Sequence, residues 1–193
     1  MPKNPPEPST VRVPTGLVVL VGPPASGKTS FVRALIAGRR IDPEAVVSSD
    51  AIRAELFGAA SPVEAESDAA DARIFEERDR RVAARLAAGR SAVAESTNVT
   101  PQARGRLIAL AARFDAPVTV LRFDPGLDCL LEQFTERGRA DLTADDVHAY
   151  AAAMARNAGA DRLRAEGATA VHDVPGRRQG ATPAEAAACF SFA

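Results

Sequence analysis

The sequence predicts an α/β fold in which a parallel sheet is covered by helices on both faces. Short runs of apolar residues recur along the 193-residue chain, each about as long as a buried strand. Segments with apolar residues at helical spacing separate these runs. The first run, Leu17–Val21, leads through a glycine-flanked loop directly into such a segment. Strands that alternate with helices favour parallel pairing, because each helix returns the chain to the same edge of the sheet.

The strands are predicted where short runs rich in Val, Leu and Ala are bounded by turn residues, at 17–21, 45–48, 91–94, 117–123 and 168–172. The helices are predicted where an apolar face has a capping residue before it or a glycine after it, at 28–37, 50–57, 68–88, 100–112, 126–137, 144–165 and from 182 onward. Residues 14–193 have the length of a single domain. The first 13 residues are proline-rich and are predicted to form a disordered leader.

Composition excludes several classes of protein. Hydrophobic residues make up 46% of the chain and charged residues 25%, as in globular proteins, and no apolar run is long enough to span a membrane. A net charge of −1 argues against a broad platform for duplex nucleic acid. The two histidines and the widely separated Cys129 and Cys189 match no zinc or redox spacing. We therefore expect a cytoplasmic protein with reduced thiols, no membrane contact and no zinc.

Residues 22–29, G-P-P-A-S-G-K-T, fit the pattern G-x-x-x-x-G-K-[ST] between a buried strand and a helix, which is the context of a P-loop. Glycines permit the tight turn that makes backbone N–H groups converge on an anion, and the helix adds its positive end. Lys28 is predicted to reach the β- and γ-phosphates of ATP, and the Thr29 hydroxyl to bind Mg²⁺. The alternative is a turn that uses glycine for geometry alone. The predicted nucleotide-binding residues are Gly22, Pro23, Pro24, Ala25, Ser26, Gly27, Lys28, Thr29 and Ser30.

Lysine is almost absent from this chain. Of its 24 basic residues only Lys3 and Lys28 are lysines, and Lys3 lies in the proline-rich leader. A compact ammonium fits between phosphate oxygens in a tight loop, whereas a planar guanidinium does not. The one lysine of the predicted domain therefore indicates a specific requirement at position 28.

The second predicted strand is followed by a candidate catalytic pair. Asp50 and Arg53 lie at the carboxyl end of this strand, where ligands of parallel sheets bind. Asp50 could accept the proton of an attacking hydroxyl, and Arg53, one helical turn later, could hold the acceptor or its phosphate. The alternative is that Asp50 only caps its helix.

The third predicted strand also ends in polar residues. Glu95 stands where a partner of Mg²⁺ or a water-orienting group belongs, and Asn98 carries an amide that could orient the substrate. The alternative is a turn in which Thr97 and Asn98 cap the next helix.

Four segments together resemble the P-loop polynucleotide 5′-kinases, the kinase module of bacterial RNA end-healing enzymes, and the wider group of P-loop ATP-dependent kinases. They are GPPASGKT at 22–29, SSDAIR at 48–53, ESTNVTPQAR at 95–104 and the arginine stretch at 137–139. The resemblance covers most of residues 17–172. It implies a five-stranded parallel sheet of order 2-3-1-4-5 and a helical lid near 134–146.

The resemblance also implies roles for individual residues. Asp50 would be the general base on a polynucleotide 5′-OH, Arg53 would contact the acceptor, and the lid arginines Arg137 and Arg139 would act on the donor phosphates. The alternative for this arginine pair is two solvent-exposed surface residues. The chain departs from the family at Glu95, where an aspartate is usual, and at the lid start, which reads Gln133-Phe134.

Three hypotheses for function follow from the sequence. The first is transfer of the ATP γ-phosphate to the 5′-OH of a short single-stranded nucleic acid; the second is transfer to a sugar, antibiotic or nucleotide-sugar. The third is an ATP-binding switch, which would have no need of a base at Asp50. An oligonucleotide acceptor requires a basic groove beside Asp50, and Arg53 and Arg104 are the nearest candidates for it.

Overall fold

A five-stranded parallel sheet forms the centre of the computed structural model, which describes residues 10–58, 67–138 and 142–193. The strands of the described residues are β1 (Val11–Val13), β2 (Leu17–Val21), β3 (Val46–Ser48), β4 (Ala92–Glu95), β5 (Val118–Arg122), β6 (Ala170–Asp173) and β7 (Phe190–Phe192). The helices are α1 (Lys28–Ala37), α2 (Ser49–Phe57), α3 (Asp68–Ala87), α4 (Pro101–Ala112), α5 (Leu127–Arg137), α6 (Ala144–Asn157), α7 (Ala160–Ala165) and α8 (Pro183–Ala188). Short 3₁₀ turns span Pro43–Ala45 and Arg177–Gln179.

The strands of the central sheet run β3-β4-β2-β5-β6, and every pair is parallel. Counted within this sheet alone, the order is 2-3-1-4-5, so the predicted topology is confirmed. β2 lies in the middle, and all five of its residues are buried because helices cover both faces of the sheet. This position places the loop after β2 at the centre of the carboxyl edge.

Alternate residues of β2 enter two different cores. Leu17, Val19 and Val21 pack with residues of α3, α4 and α6 on one face. Val18 and Leu20 pack on the other face with α1, α8 and β7. The period-two alternation along a strand therefore explains why a five-residue apolar run needs a helical layer on each side.

The prediction of a disordered leader over residues 1–13 is wrong for its last three residues. Residues 11–13 form a strand, and β1 pairs in parallel with β7, so that Val11 lies opposite Phe190 and Val13 opposite Phe192. Val13 is buried in the core beside α1. The run V-R-V is too short to show a pattern of its own, and its partner lies at the far end of the chain. The first nine residues of the leader lie outside the described residues.

The predicted helix over 144–165 is two helices, α6 and α7. The chain is extended at Gly159, and the Ala158 side chain is buried. Two arginine side chains bind the backbone carbonyls at this break: Arg104 Nη2 donates to Asn157 O and Arg122 Nη1 donates to Ala158 O, each at 2.8 Å. These contacts compensate for the helical hydrogen bonds that the break removes. None of the helices in the described part of the chain is long and apolar enough to cross a membrane.

Candidate active site

The loop between β2 and α1 adopts a tight turn whose two glycines act for different reasons. Gly27 has φ 99°, in the left-handed region that favours glycine. Gly22 is a glycine because there is no room for a side chain: a Cβ there would lie 2.7 Å from Ser26 Oγ and 2.8 Å from the Phe123 carbonyl. The Gly22 N–H donates to Thr97 O at 2.9 Å, which fixes the loop to the segment after β4.

Lys28 begins α1, and its ammonium lies inside the loop. Nζ donates to the carbonyl oxygens of Gly22 at 2.8 Å and Pro23 at 2.7 Å, and to Ser26 Oγ at 3.3 Å. The residue is 8% exposed. A buried ammonium needs such acceptors, and it lies at the point where the loop would surround a phosphate.

Thr29 and Glu95 are brought together by the sheet. β4 lies beside β2, and the Thr29 Oγ1 hydroxyl donates to Glu95 Oε1 at 2.7 Å. A hydroxyl and a carboxylate are the hard oxygen ligands that Mg²⁺ prefers. The two residues therefore fit a Mg²⁺ site that the ligand's phosphate oxygens and water would complete. Within the described residues, no cluster of three or more His, Cys, Asp and Glu side chains could hold a metal by itself.

Asp50 is the second residue of α2 and is exposed. The residue that caps this helix is Ser48, whose side chain accepts from the Ala51 N–H at 3.4 Å. The interpretation of Asp50 as an N-cap is therefore wrong. In the described part of the chain its carboxylate has no hydrogen bond or ion pair, and it faces a groove.

This groove has a volume of about 760 Å³ and runs along the carboxyl edge of the sheet. One part, which we call the loop half, is lined by residues 24–29 and 95–97. The other part, the helix half, is lined by residues of α2, α3 and α6, by Gly58 after α2 and by Leu142, two residues before α6. The described residues of the helix half are Ser49, Asp50, Arg53, Ala54, Phe57, Gly58, Asp71, Ile74, Phe75, Leu142 and Tyr150.

Arg53 lines the helix half but is tied to its neighbouring helix. Its guanidinium donates to the Asp71 carboxylate of α3, and the two side chains are 36% and 45% exposed. Arg81 of α3 makes a second pair of this kind with Glu55 of α2. Within α3, hydrogen bonds from Arg80 and then Arg81 lower the pKa of Glu77 to about 2. These pairs hold α2 against α3, so the position of Asp50 is set by both helices.

Arg137 is the last residue of α5 and lies at the mouth of the groove. Its Nη2 approaches Ser30 Oγ of α1 at 3.4 Å, so the predicted lid arginine meets the helix that follows the loop. Arg139, predicted to act with it, lies outside the described residues.

A second cavity, of about 210 Å³, lies on the other side of Arg137. Its walls include Ser26–Gly27 of the loop, Phe31, Phe123 and the segment 174–177. The rings of Phe31 and Phe123 meet edge to face at 5.3 Å. At its rim Arg177 donates to Glu136 at 2.7 Å, and this contact lowers the pKa of Glu136. The sequence patterns gave no sign of this cavity, because its residues come from four separate segments.

Asn98 and Arg104 do not reach the groove, which corrects their prediction as substrate-binding residues. Asn98 is 1% exposed, and its amide donates to Leu20 O of β2 at 2.9 Å. Arg104 is fully buried, paired with Glu166 at 2.7 Å and bonded to Asn98 O at 2.8 Å. Both residues join the segment after β4 to the helices behind it. Their position after the strand that ends at Glu95 predicts that they lie near the site, but their side chains point into the protein interior.

Sequence reasoning missed three aromatic residues of the helix half: Phe57, Phe75 and Tyr150. A signal existed for the first of them. Asp50, Arg53 and Phe57 are spaced at i, i+3 and i+7, so they share one face of α2. Tyr150 has no such signal. It lies in α6, about 100 residues after Asp50, and only the tertiary structure brings this helix to the groove.

A parallel sheet of this order, with a P-loop after its central strand β2 and carboxylates at the end of β4 and after β3, has the P-loop kinase fold. The comparison with family models agrees. The chain belongs to the family described as AAA domain (AAA_33), whose model matches residues 17–165. No curated protein sequence matches the chain.

Solved structures share the fold. A protein of Chloroflexus aurantiacus J-10-fl, provisionally described as a kinase, matches with a TM-score of 0.58 and 23% identity over 70% of this chain and 74% of that one. A chain of the Pnkp1/Rnl/Hen1 RNA repair complex matches with a TM-score of 0.62 and 21% identity over 77% of this chain, but over only 45% of its own length. A gluconokinase from Sinorhizobium meliloti 1021 matches with a TM-score of 0.54 and 18% identity over 90% of each chain. At these identities the likeness shows the fold alone.

Proposed function

We propose that this protein is a kinase that transfers the γ-phosphate of ATP to an alcohol. One observation carries the proposal: the exposed Asp50 carboxylate shares a groove with Lys28 and with the Thr29–Glu95 pair. A site that only bound ATP would not require a carboxylate without a protein partner beside the phosphate loop.

The donor would lie across the loop. Lys28 exchanges its contacts with Gly22 O and Pro23 O for the β- and γ-phosphate oxygens, and the loop N–H groups bind the phosphates. Thr29 and Glu95 would hold Mg²⁺, which neutralises charge on the phosphates when it is bound. The second cavity, on the other side of Arg137, is where the nucleoside part of ATP would fit.

In the reaction the acceptor hydroxyl attacks the γ-phosphorus. The bond between this phosphorus and the bridging β–γ oxygen breaks, the new P–O bond forms, and ADP leaves. Asp50 accepts the hydroxyl proton, so atoms and charge balance without another reactant. Arg137, at the mouth of the groove, would stabilise the charge that develops on the transferring group.

The groove supports a small acceptor better than an oligonucleotide. Arg104 is buried in the interior, and Arg53 is paired with Asp71, so neither residue supplies the basic groove that a polynucleotide requires. A 5′-OH polynucleotide remains the second candidate. The motifs at 22–29, 48–53 and 95–104 support it, as does the fold that the chain shares with the RNA repair complex.

The test is transfer of labelled γ-phosphate from ATP across a panel of 5′-OH DNA, 5′-OH RNA, nucleosides, sugars and water alone. A kinase should label at least one alcohol faster than it releases phosphate to water. Phosphate release to water at an equal rate with every compound would show a hydrolase or switch and would contradict the proposal. Lys28→Ala protein serves as the blank for contaminating kinases.

A further inference from the structure

The helix half of the groove is lined by three aromatic side chains from three different helices. Phe57 ends α2, Phe75 lies in α3, and Tyr150 lies in α6. All three are partly exposed, whereas Ile74 beside them is buried. The chain has nine Phe and Tyr residues in total, and Tyr150 is its one tyrosine. The convergence of three rings beside Asp50 gives this half an apolar, ring-lined wall.

Two of these rings lie against arginine side chains. The guanidinium of Arg73 lies 5.0 Å from the centre of the Phe57 ring, and that of Arg78 lies 5.0 Å from the centre of the Phe75 ring. Neither arginine lines the groove. Arg78 is 1% exposed and pairs with Asp79, so its position is fixed by the interior. A ring supported in this way offers a preorganised surface for stacking.

The charge of the helix half opposes an anionic ligand. Its described charged residues are Asp50, Asp71 and Arg53, with a net charge of −1; Arg137 lies at the mouth of the groove and is not counted in this half. The guanidinium is already paired with Asp71. A phosphate or carboxylate on the acceptor would therefore lie among repelling charges next to Asp50.

We propose that the acceptor is an uncharged alcohol that carries a flat, apolar or aromatic ring. The ring stacks on the wall formed by Phe57, Phe75 and Tyr150, and the hydroxyl reaches Asp50. This inference rests on the proposed kinase function, and it narrows the acceptor to the chemistry shared by nucleosides and simple aromatic alcohols. Stacking on aromatic side chains tolerates any flat ring, so the wall selects for a ring rather than for one base.

Binding can be measured without catalysis, because the chain has no tryptophan and one tyrosine. Tyrosine fluorescence therefore reports on Tyr150 alone. The titration is done with Mg²⁺ and a non-hydrolysable ATP analogue in the donor site, and free tyrosine amide corrects for light absorbed by the ligand. The ligands are uridine, uridine 3′-monophosphate, ribose and 2-phenylethanol. Uridine and its 3′-monophosphate differ by one phosphate, whereas uridine and ribose differ by the flat uracil ring.

We expect saturable quenching of the tyrosine fluorescence by uridine, by 2-phenylethanol or by both. Which compound binds shows whether the acceptor is a nucleoside or a simple aromatic alcohol. Ribose should bind at least tenfold more weakly, and the 3′-phosphate should not tighten binding. Tenfold tighter binding of uridine 3′-monophosphate would overturn the inference in favour of a polynucleotide end. Absence of binding by both ring compounds would also overturn it.

The matched variants are Phe75→Leu and Phe114→Leu. Phe114 is also partly exposed and also has an arginine, Arg113, over its ring, but it does not line the groove. Phe75→Leu should weaken binding of the ring compound about tenfold. Phe75→Tyr should restore it, and its binding is measured by calorimetry because the variant has a second tyrosine. Phe114→Leu should change binding less than twofold. Equal effects of the two leucine variants would show that the Phe75 ring acts through folding, which would contradict the proposed wall.

The inference and the proposed function fail separately. If the ring compound binds as described but no alcohol is labelled from ATP, the kinase proposal fails and the ring site stands. If labelled phosphate is transferred to ribose or to 5′-OH RNA in preference to ring alcohols, the kinase proposal stands and the ring site fails.

Discussion

The two halves of the groove differ in how the chain builds them. The loop half comes from two short stretches: residues 24–29 of the P-loop, and residues 95–97 at the end of the neighbouring strand β4. The helix half is assembled from α2, α3 and α6, whose groove residues extend from Ser49 to Tyr150. A contiguous loop can bind phosphate through backbone N–H groups, so its chemistry depends little on the rest of the chain. A surface built from three helices takes its character from side chains, and it can change with each of them.

The comparison predicts a division of labour. Substitutions in the loop half should affect every reaction of the protein, because all of them use the phosphates of ATP. The effect of a substitution in the helix half should depend on which acceptor is used. The predictions below test this division, beginning with the largest expected effect.

Lys28→Ala should reduce transfer by at least about 10³-fold and weaken ATP binding. Lys28→Arg should fail almost as severely, because the space between Gly22 O and Pro23 O admits a compact ammonium and not a planar fork. Single-turnover transfer and a nucleotide-binding assay check both variants. Near-normal turnover of the arginine variant would contradict this account of the loop half.

Asp50→Asn should reduce transfer roughly 10²–10⁴-fold with unchanged ATP affinity, because the amide keeps the size of the side chain and loses its basicity. The control is Asp128→Asn: Asp128 is also exposed and is also the second residue of its helix, α5, but it does not line the groove. The control variant should keep normal transfer, and a thermal melt checks that both proteins fold. Near-normal transfer by Asp50→Asn would show that Asp50 is not the general base.

The sequence predicts the loop half well and the helix half poorly, for a physical reason. The pattern at 22–29 encodes a local structure. It is also one of the segments that resemble the P-loop kinases, and this resemblance implies the strand order. The pair of Thr29 and Glu95 was also predicted, because strand ends meet at one edge of the sheet. Asn98 and Arg104 could not be assigned from spacing, since a polar residue near the site can face the interior as easily as the groove. The strand at 11–13 was missed because it pairs with β7, at the far end of the sequence.

Arg104→Met should lower the free energy of unfolding by about 3 kcal/mol, because it leaves Glu166 without its buried partner and the carbonyls of Asn98 and Asn157 without a donor. Denaturant titration measures the loss. At a temperature where the variant is folded, its KM for the acceptor should be unchanged. A raised KM with unchanged stability would mean that the Arg104 side chain contacts the acceptor in the groove. Its buried position, paired with Glu166, would then be wrong.

Arg137→Ala should lower kcat about tenfold with little change in KM for the acceptor. The residue lies between the groove and the second cavity, so we expect it to act on the ATP donor and not on the acceptor. Arginines in comparable positions contribute roughly 10³-fold or more, but the usual lid start is replaced here by Gln133-Phe134, so a smaller loss is expected. Steady-state kinetics at saturating ATP check it, with Arg164→Ala as an exposed control that lies outside both cavities.

The smallest effect is expected at the pair of Arg53 and Asp71, and it separates the two acceptor classes. Both side chains are more than a third exposed, so the pair itself should contribute less than about 1 kcal/mol to stability. With uridine as acceptor, Arg53→Ala should change KM by less than about threefold, because an uncharged ring alcohol needs no cation there. With uridine 3′-monophosphate, Asp71→Asn should improve KM several-fold, because it removes a carboxylate from the helix half and changes its net charge from −1 to zero. If Arg53→Ala instead raises KM tenfold or more for both 5′-OH RNA and uridine 3′-monophosphate, Arg53 holds an acceptor phosphate, and the helix half is built for a polynucleotide end.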